Sequence, residues 1–247
     1  VAHAYLQPDW DAAVTGDELV VTGDEARHAV KVARMREGEQ IILLNGRGAR
    51  VEAEVVATST GEFRVRALED AVVERVASPR LVLVQGLAKG GRDEMALQAA
   101  VELGVDAVVP WQASRSVSKW VGDKALKNRE RWETIAREAS KQSIRARVPE
   151  IAAVATSKQL AAQFEPGRVL VLDPGGELPL GEVPLDDLGD GDALTLIVGP
   201  EGGVSDEEIE LFRSSGAVAV RLGQNVLRTS TAGPAAIAAL LTRLSRW

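Results

Sequence analysis

The chain has 247 residues, 45% of them hydrophobic and 4% aromatic, with a net charge of −7 and no cysteine. That length supports one large domain or two ordinary ones, with cores of Val, Leu, Ile and Ala. Disulfides, thiolate metal sites and a cysteine nucleophile are excluded, and two histidines, His3 and His28, are too few for most zinc or triad chemistry. No apolar run approaches the ~20 residues of a membrane helix, and residues 1–11 lack the pattern of a signal peptide, so a soluble, cytoplasmic protein is expected.

Residues 1–76 carry short alternating or β-branched runs at Leu19–Val21, Gln40–Leu44, Ala49–Val56 and Phe63–Leu68. Turn signals separate them, including NGRG at 45–48 and STG at 59–61, and a helical pattern over Glu25–Met35 interrupts them. These features predict a small β-barrel-like domain with one helix. VASPRL at 76–81 reads as a linker, because Pro79 biases Ser78 to an extended backbone. From Leu81 strands and helices alternate: strand 81–87, helix 90–104 with Met95, Leu97 and Val101 among its apolar residues, strand 106–110, and a long charged helix over 123–143. Short strands follow around Ile151 and at Val169–Leu172, then a loop over 173–191. Strand Leu194–Val198, a helix from 206, strand Val218–Leu222 and a helix over about 233–245 complete the pattern. Alternation of this kind predicts a mostly parallel sheet covered by helices in a second domain, 77–247.

Charge is unevenly spread. Residues 115–147 hold ten Lys and Arg against four acids, and RHAVKVARMR at 27–36 holds Arg27, Lys31, Arg34 and Arg36 with no acid. Local fields decide where a polyanion docks, so the negative total does not exclude nucleic acid. A solvated helix face explains the 115–147 segment equally well.

Two strand–loop–helix units hold the chemistry. LTLIVGPEGGVSDEEIE (194–210) places Ser205 as a helix cap with Glu208 three residues on, a capping box, and Val204 with Ile209 as a hydrophobic staple. Glu207 and Glu208 suit the helix dipole, but Glu201 precedes the cap and needs another explanation. The loop lacks the Lys–Ser/Thr of a phosphate-binding P-loop and the G-x-G-x-x-G of a dinucleotide site. An acidic glycine loop suits a ligand bearing positive charge or hydrogen-bond donors. VRLGQNVLRTSTAGPAAIAALL (220–241) places a polar turn with Asn225, Arg228, Thr229 and Ser230 after a strand, with a helix from about Thr231 and Pro234 in its first turn. Loops at the carboxyl ends of strands are where open α/β sheets bind ligands.

GPEGGVSDEEIE followed by LGQNVLRTSTA resembles the RsmE family of SPOUT-class RNA methyltransferases. So do residues 27–48, 85–110 and 131–151, in order along nearly the whole chain. The resemblance implies a PUA-like RNA-binding barrel (1–76), an α/β SPOUT domain with a C-terminal trefoil knot (77–247) and a homodimer. It implies S-adenosylmethionine as cofactor, no metal, and methylation of N3 of a uridine in small-subunit (16S) ribosomal RNA. Carried over by position, the cofactor residues are Gly199, Pro200, Glu201, Gly202, Leu222, Gly223, Val226 and Leu227, with Leu172 at its strand end. Arg228 is the catalytic candidate, because deprotonating uracil N3 leaves negative charge on O2 and O4 that a fixed guanidinium stabilises. Phosphate-contact candidates are Arg27, Lys31, Arg34 and Arg36, then Arg115, Lys119, Arg145 and Arg147. The family's usual LRTETA is LRTSTA here, so Ser230 stands in place of an acid and no general base is assigned. That departure motivates a second reading, a non-catalytic RNA-binding or ribosome-assembly protein of the same fold. A nucleotide-dependent Rossmann-like enzyme is a third, disfavoured by the missing fingerprints.

Overall fold

In the computed structural model, which describes residues 3–247, the alternating runs of the first part become strands with one buried face. The elements are β1 (His3–Leu6), β2 (Glu18–Thr22), α1 (Gly23–Lys31), β3 (Gln40–Leu44), β4 (Ala49–Ser59), β5 (Glu62–Ala67) and β6 (Val72–Val73). They form a six-stranded sheet in the order β1-β3-β4-β5-β2, with β6 paired to β4. β5 alternates exposed and buried residues along its whole length, as a half-buried strand must. Val51, Val55, Phe63 and Val65 share a core with Ala26 and Ala29 of α1, and Tyr5 meets Phe63 edge-on at 5.5 Å.

Helix α1 stops at Lys31, short of the predicted Met35. Val32 and Ala33 both donate to the His28 carbonyl, Arg34 turns left-handed at φ 56°, and the Met35 N–H reaches back to Ala29. The apolar spacing survives this turn because Met35 still buries its side chain.

The second part contains β7 (Arg80–Gly86), α2 (Arg92–Leu103), β8 (Ala107–Gln112), α3 (Asp123–Gln142), β9 (Glu150–Ile151), β10 (Ala155–Thr156), α4 (Ser157–Ala162), β11 (Gly167–Leu172) and β12 (Leu178–Pro179). It ends with β13 (Ala193–Val198), α5 (Asp206–Ser214), β14 (Val218–Arg221) and α6 (Thr229–Arg243). An eight-stranded sheet runs β10-β8-β7-β13-β11-β14-β12, with β9 on β8, and every pair in it is parallel. β13 is buried at every position, as a central parallel strand covered on both faces should be. Val84, Trp111, Val171, Ile197 and Phe212 are among the residues of one core cluster. Val204 and Ile209 of the predicted staple join it.

The chain divides into two units, the stretch up to Val76 with Arg137–Val148, and Ala77–Ala136 with Pro149–Trp247. The boundary expected at 76/77 follows the change of pattern along the chain, and 137–148 comprises the end of α3, up to Gln142, and the stretch after it. Within the first unit, Gly48 and Val148 donate to the carbonyls of Ala146 and Gly46, and Lys141 pairs with Glu25 at 3.0 Å. Three further expectations change. Met95 faces outward because α2 buries Asp93, Ala96, Leu97, Ala100 and Val101 instead. α4 appears where no helix was expected, started by a capping box between Thr156 and Gln159. α6 begins at Thr229, so Pro234 lies beyond the first turn and leaves the Ser230 carbonyl without its helical donor.

Candidate functional site

Four parallel strands end in one row. Gln85 of β7 is in register with Val198 of β13, Val198 with Leu172 of β11, and Leu172 with Val220 of β14. Loops leaving these ends emerge side by side and surround a cavity of about 660 Å³. Of the cofactor residues expected from sequence, Leu172, Gly199, Pro200, Glu201, Leu222, Gly223, Val226 and Leu227 line it. Gly202 does not. It is set back against Arg115, where a Cβ would lie 3.0 Å from Arg115 Cβ, and Gly203, at φ 72°, takes the lining position.

The glycine loop is held at both ends. At its start Thr229 Oγ1 donates to the Gly199 carbonyl at 2.7 Å and accepts from Gln85 Nε2 at 2.8 Å. Gln85 is fully buried, and Gly86 brings β7 so close that a Cβ there would meet Pro200 N at 2.6 Å. At its end Ser205 Oγ accepts from the Glu208 N–H while the Glu208 carboxylate accepts from the Ser205 N–H, both at 3.2 Å. The capping box expected from SDEE is therefore formed.

Glu201 sits between these anchors. Its Oε1 accepts from the Lys89 N–H at 3.1 Å and from Arg92 at 3.0 Å. Burial pushes its carboxyl up, but its own N–H, the Lys89 N–H and the Arg92 guanidinium outweigh burial and hold it below the ordinary glutamate value. Its charge is therefore matched within the protein, by the loop that follows β7 and the first residue of α2.

Arginines ring the cavity in different states. Arg92 is paired to Glu201, and Arg115 donates to the carbonyls of Gly202 and Val204 at 3.2 and 3.3 Å. Arg228, at the N-cap of α6, is exposed and makes no side-chain hydrogen bond or ion pair among the described residues. It is the cavity guanidinium left available to an outside group. Ser230 follows in the first turn of α6.

The other expected RNA contacts divide by unit. In the first, Arg27, Lys31, Arg34 and Arg36 are all exposed on α1 and the turn after it, with Arg27 paired to Asp24. Arg147 is partly buried there, lies on Gly48 and donates to the Glu74 carbonyl at 3.0 Å. Arg145, in the same unit, is also partly buried, whereas Lys119 of the second unit is exposed.

The model of the RNA methyltransferase domain family matches residues 76–241, and that of the RNA methyltransferase PUA domain matches residues 21–68. A Mycobacterium bovis protein named Ribosomal RNA small subunit methyltransferase E is 39% identical over 238 residues, covering 94% of this chain and 89% of its own. The chain belongs to the ribosomal RNA small subunit methyltransferase E family. The Bacillus subtilis member of that family is 34% identical, over 89% of this chain and 88% of its own. The crystal structure of the Neisseria gonorrhoeae family member bound to S-adenosyl methionine matches with a TM-score of 0.86 at 27% identity, covering 98% of each chain. A Legionella pneumophila methyltransferase in complex with its cofactor SAM matches at 0.87 and 30% identity, again over 98% of each chain.

Sequence reasoning passed over Arg92, Asp173 and Gln85. Arg92 and Asp173 line the cavity, and Gln85 supports it through Thr229. The signal for all three was position, since each lies at or just beyond the carboxyl end of a strand in the same sheet.

Proposed function

We propose that this protein transfers a methyl group from S-adenosylmethionine to N3 of a uridine in 16S ribosomal RNA, at the cavity bounded by the glycine loop and Arg228. The observation that carries this is a roomy cavity at four strand ends, presenting one unpaired guanidinium beside a glycine loop whose acid is internally matched. The residues present fit the cofactor. Leu172, Val226 and Leu227 offer apolar surface to a purine ring, and Gly199, Gly203 and Gly223 let backbone polar groups approach it.

When bound, S-adenosylmethionine supplies a methyl group already activated on a sulfonium. Uracil N3 is a poor nucleophile until its proton leaves and charge spreads over O2 and O4. Arg228, with no partner among the described residues to compete for it, is available to meet that charge as it develops. Thr229 locks the start of α6 to Gly199 and Gln85, so the Arg228 backbone enters from a fixed point. The target uridine leaves its stack to reach the cavity, and within the first unit the exposed cations Lys31, Arg34 and Arg36 offer contacts to RNA phosphates.

The same reading includes a trefoil knot and a homodimer. Light scattering at micromolar concentration tests the dimer. Among the described residues no helix is long and apolar enough to cross a membrane, and a ribosomal RNA substrate supports a cytoplasmic site of action. The direct experiment is calorimetry with S-adenosylmethionine, followed by methyl transfer to unmodified small-subunit RNA and mapping of the product. Binding with transfer to uridine N3 is expected; no binding at millimolar cofactor would refute the reading. RNA and cofactor binding without transfer to any RNA would return the non-catalytic alternative.

A further inference from the structure

The loop after β8, which charge alone assigns to RNA, makes a different set of contacts. Four donors converge on the carboxylate of Glu208, a residue only 5% exposed. Ser114 donates its N–H to Oε1 at 2.7 Å and its hydroxyl to Oε2 at 2.9 Å. Ser157 Oγ donates to Oε1 at 2.6 Å while accepting from Trp111 Nε1, and the Ser205 N–H supplies the fourth bond. A helix cap requires only that last bond. The other three tie the exit of β8 and the start of α4 to the glycine loop. Burial raises the Glu208 carboxyl, but the donors from Ser157, Ser114 and Ser205 prevail and keep it below the ordinary value. With Ser114 fixed, the next residue lies flat on Gly202, and its guanidinium reaches the carbonyls on either side of Gly203.

We propose that Glu208 and Arg115 are positioning residues for the cofactor: Glu208 anchors Ser114, Ser114 sets Arg115, and Arg115 clamps the glycine loop in its ligand-accepting shape. This rests on S-adenosylmethionine as the ligand of the cavity. The loop from Gly199 to Val204 contains three glycines, and ordering glycine backbone is entropically expensive. A clamp that orders the loop beforehand removes that cost from binding. Neither residue is assigned a contact with the reacting atoms, so the clamp acts chiefly on affinity.

A double-mutant cycle on the full chain tests it. Arg115→Ala changes an exposed side chain, and the variant is expected to fold. It should weaken S-adenosylmethionine binding about five- to tenfold, the loss of a charged donor's bonds, and raise the KM for the cofactor by a larger factor than it lowers kcat. Glu208→Gln sets an amide N–H against the Ser114 and Ser205 donors and should weaken binding to a similar degree. The double variant should bind no more than about twofold worse than the weaker single, because the second change breaks a clamp already open. Wild-type affinity in Arg115→Ala, or single effects that multiply in the double, would overturn the clamp. Loss of RNA affinity in Arg115→Ala with cofactor affinity intact would overturn it in favour of a phosphate contact. Failure of the wild-type chain to bind S-adenosylmethionine would instead overturn the functional reading, and the clamp with it.

Discussion

Replacing Glu201 by Gln separates two roles that the acid in a glycine loop could play. In the structure Oε1 accepts from the Lys89 N–H and from Arg92, and the Glu201 and Arg92 side chains are 24% and 39% exposed. Gln can still accept both bonds, so the change removes only the ionic part of a partly solvated pair. Pairs of that kind contribute about 0.5–1 kcal/mol. If all of it appears as loop disorder, cofactor affinity falls about two- to fivefold. Glu201→Ala also strands the Lys89 N–H, for a total of about 1.5–2.5 kcal/mol, or roughly 10- to 70-fold. Because the folded carboxyl titrates below its unfolded value, its contribution is present above the ordinary glutamate pKa of about 4.3 and lost as pH falls through the lower folded value. The wild-type chain should therefore lose this increment of affinity in acid, and Glu201→Gln should not. Calorimetric titration with S-adenosylmethionine across pH reads both quantities. If Gln and Ala weaken binding equally, by fiftyfold or more, the charge of Glu201 acts on the ligand itself and the brace is refuted.

Four other outcomes follow from the same geometry. Arg228→Ala should lower kcat about 10²- to 10³-fold, as loss of one stabilising donor does, with cofactor affinity changed less than about threefold; an unchanged single-turnover rate would remove Arg228 from the mechanism. Thr229→Val keeps the shape but leaves the Gly199 carbonyl without its donor and Gln85 without one acceptor, so urea unfolding should report a loss of about 2–4 kcal/mol, and a loss under 0.5 kcal/mol would contradict the latch. Gly86→Ala places a methyl group 2.6 Å from backbone N of Pro200, which cannot rotate away, so cofactor binding should fall at least about tenfold with a stability cost of about 1–3 kcal/mol. Alanine at Lys31, Arg34 or Arg36 should each reduce the slope of log affinity for RNA against log salt by about 0.7–0.9, measured by filter binding from low to moderate salt; a slope that does not move means the residue touches no phosphate.

Much of the site was legible in short segments. The capping box at Ser205 and Glu208 and the staple at Val204 and Ile209 depend on spacing of a few residues along one helix, and local rules suffice for those. Strand ends near Leu172, Val198 and Leu222 were readable from apolar runs bounded by glycine and proline. Boundaries that depend on partners were harder. α1 ends at Lys31, ahead of a left-handed Arg34 that no propensity predicts, and α4 was missed although TSKQ at 156–159 carries its capping signal. The grouping of Arg137–Val148 with the N-terminal unit begins within α3, which periodicity reads as one piece up to Gln142.

Sequence by itself determined the fold class, the strand–loop–helix units and the residue types offered at their ends, because hydrophobic period, capping and turn chemistry act over neighbouring positions. Only the tertiary structure decided what each charged group does. Glu201, in the cavity wall, is matched by the Lys89 N–H and by Arg92, more than a hundred positions earlier in the chain. Glu208 gathers donors from Ser114 and Ser157 as well as from its own helix cap. Arg115 is committed to backbone carbonyls, while Arg228 is left without a partner among the described residues. The reason is physical: a partly buried charge is set by whichever donors or acceptors the parallel sheet brings alongside it, and strand order, not chain distance, determines which those are.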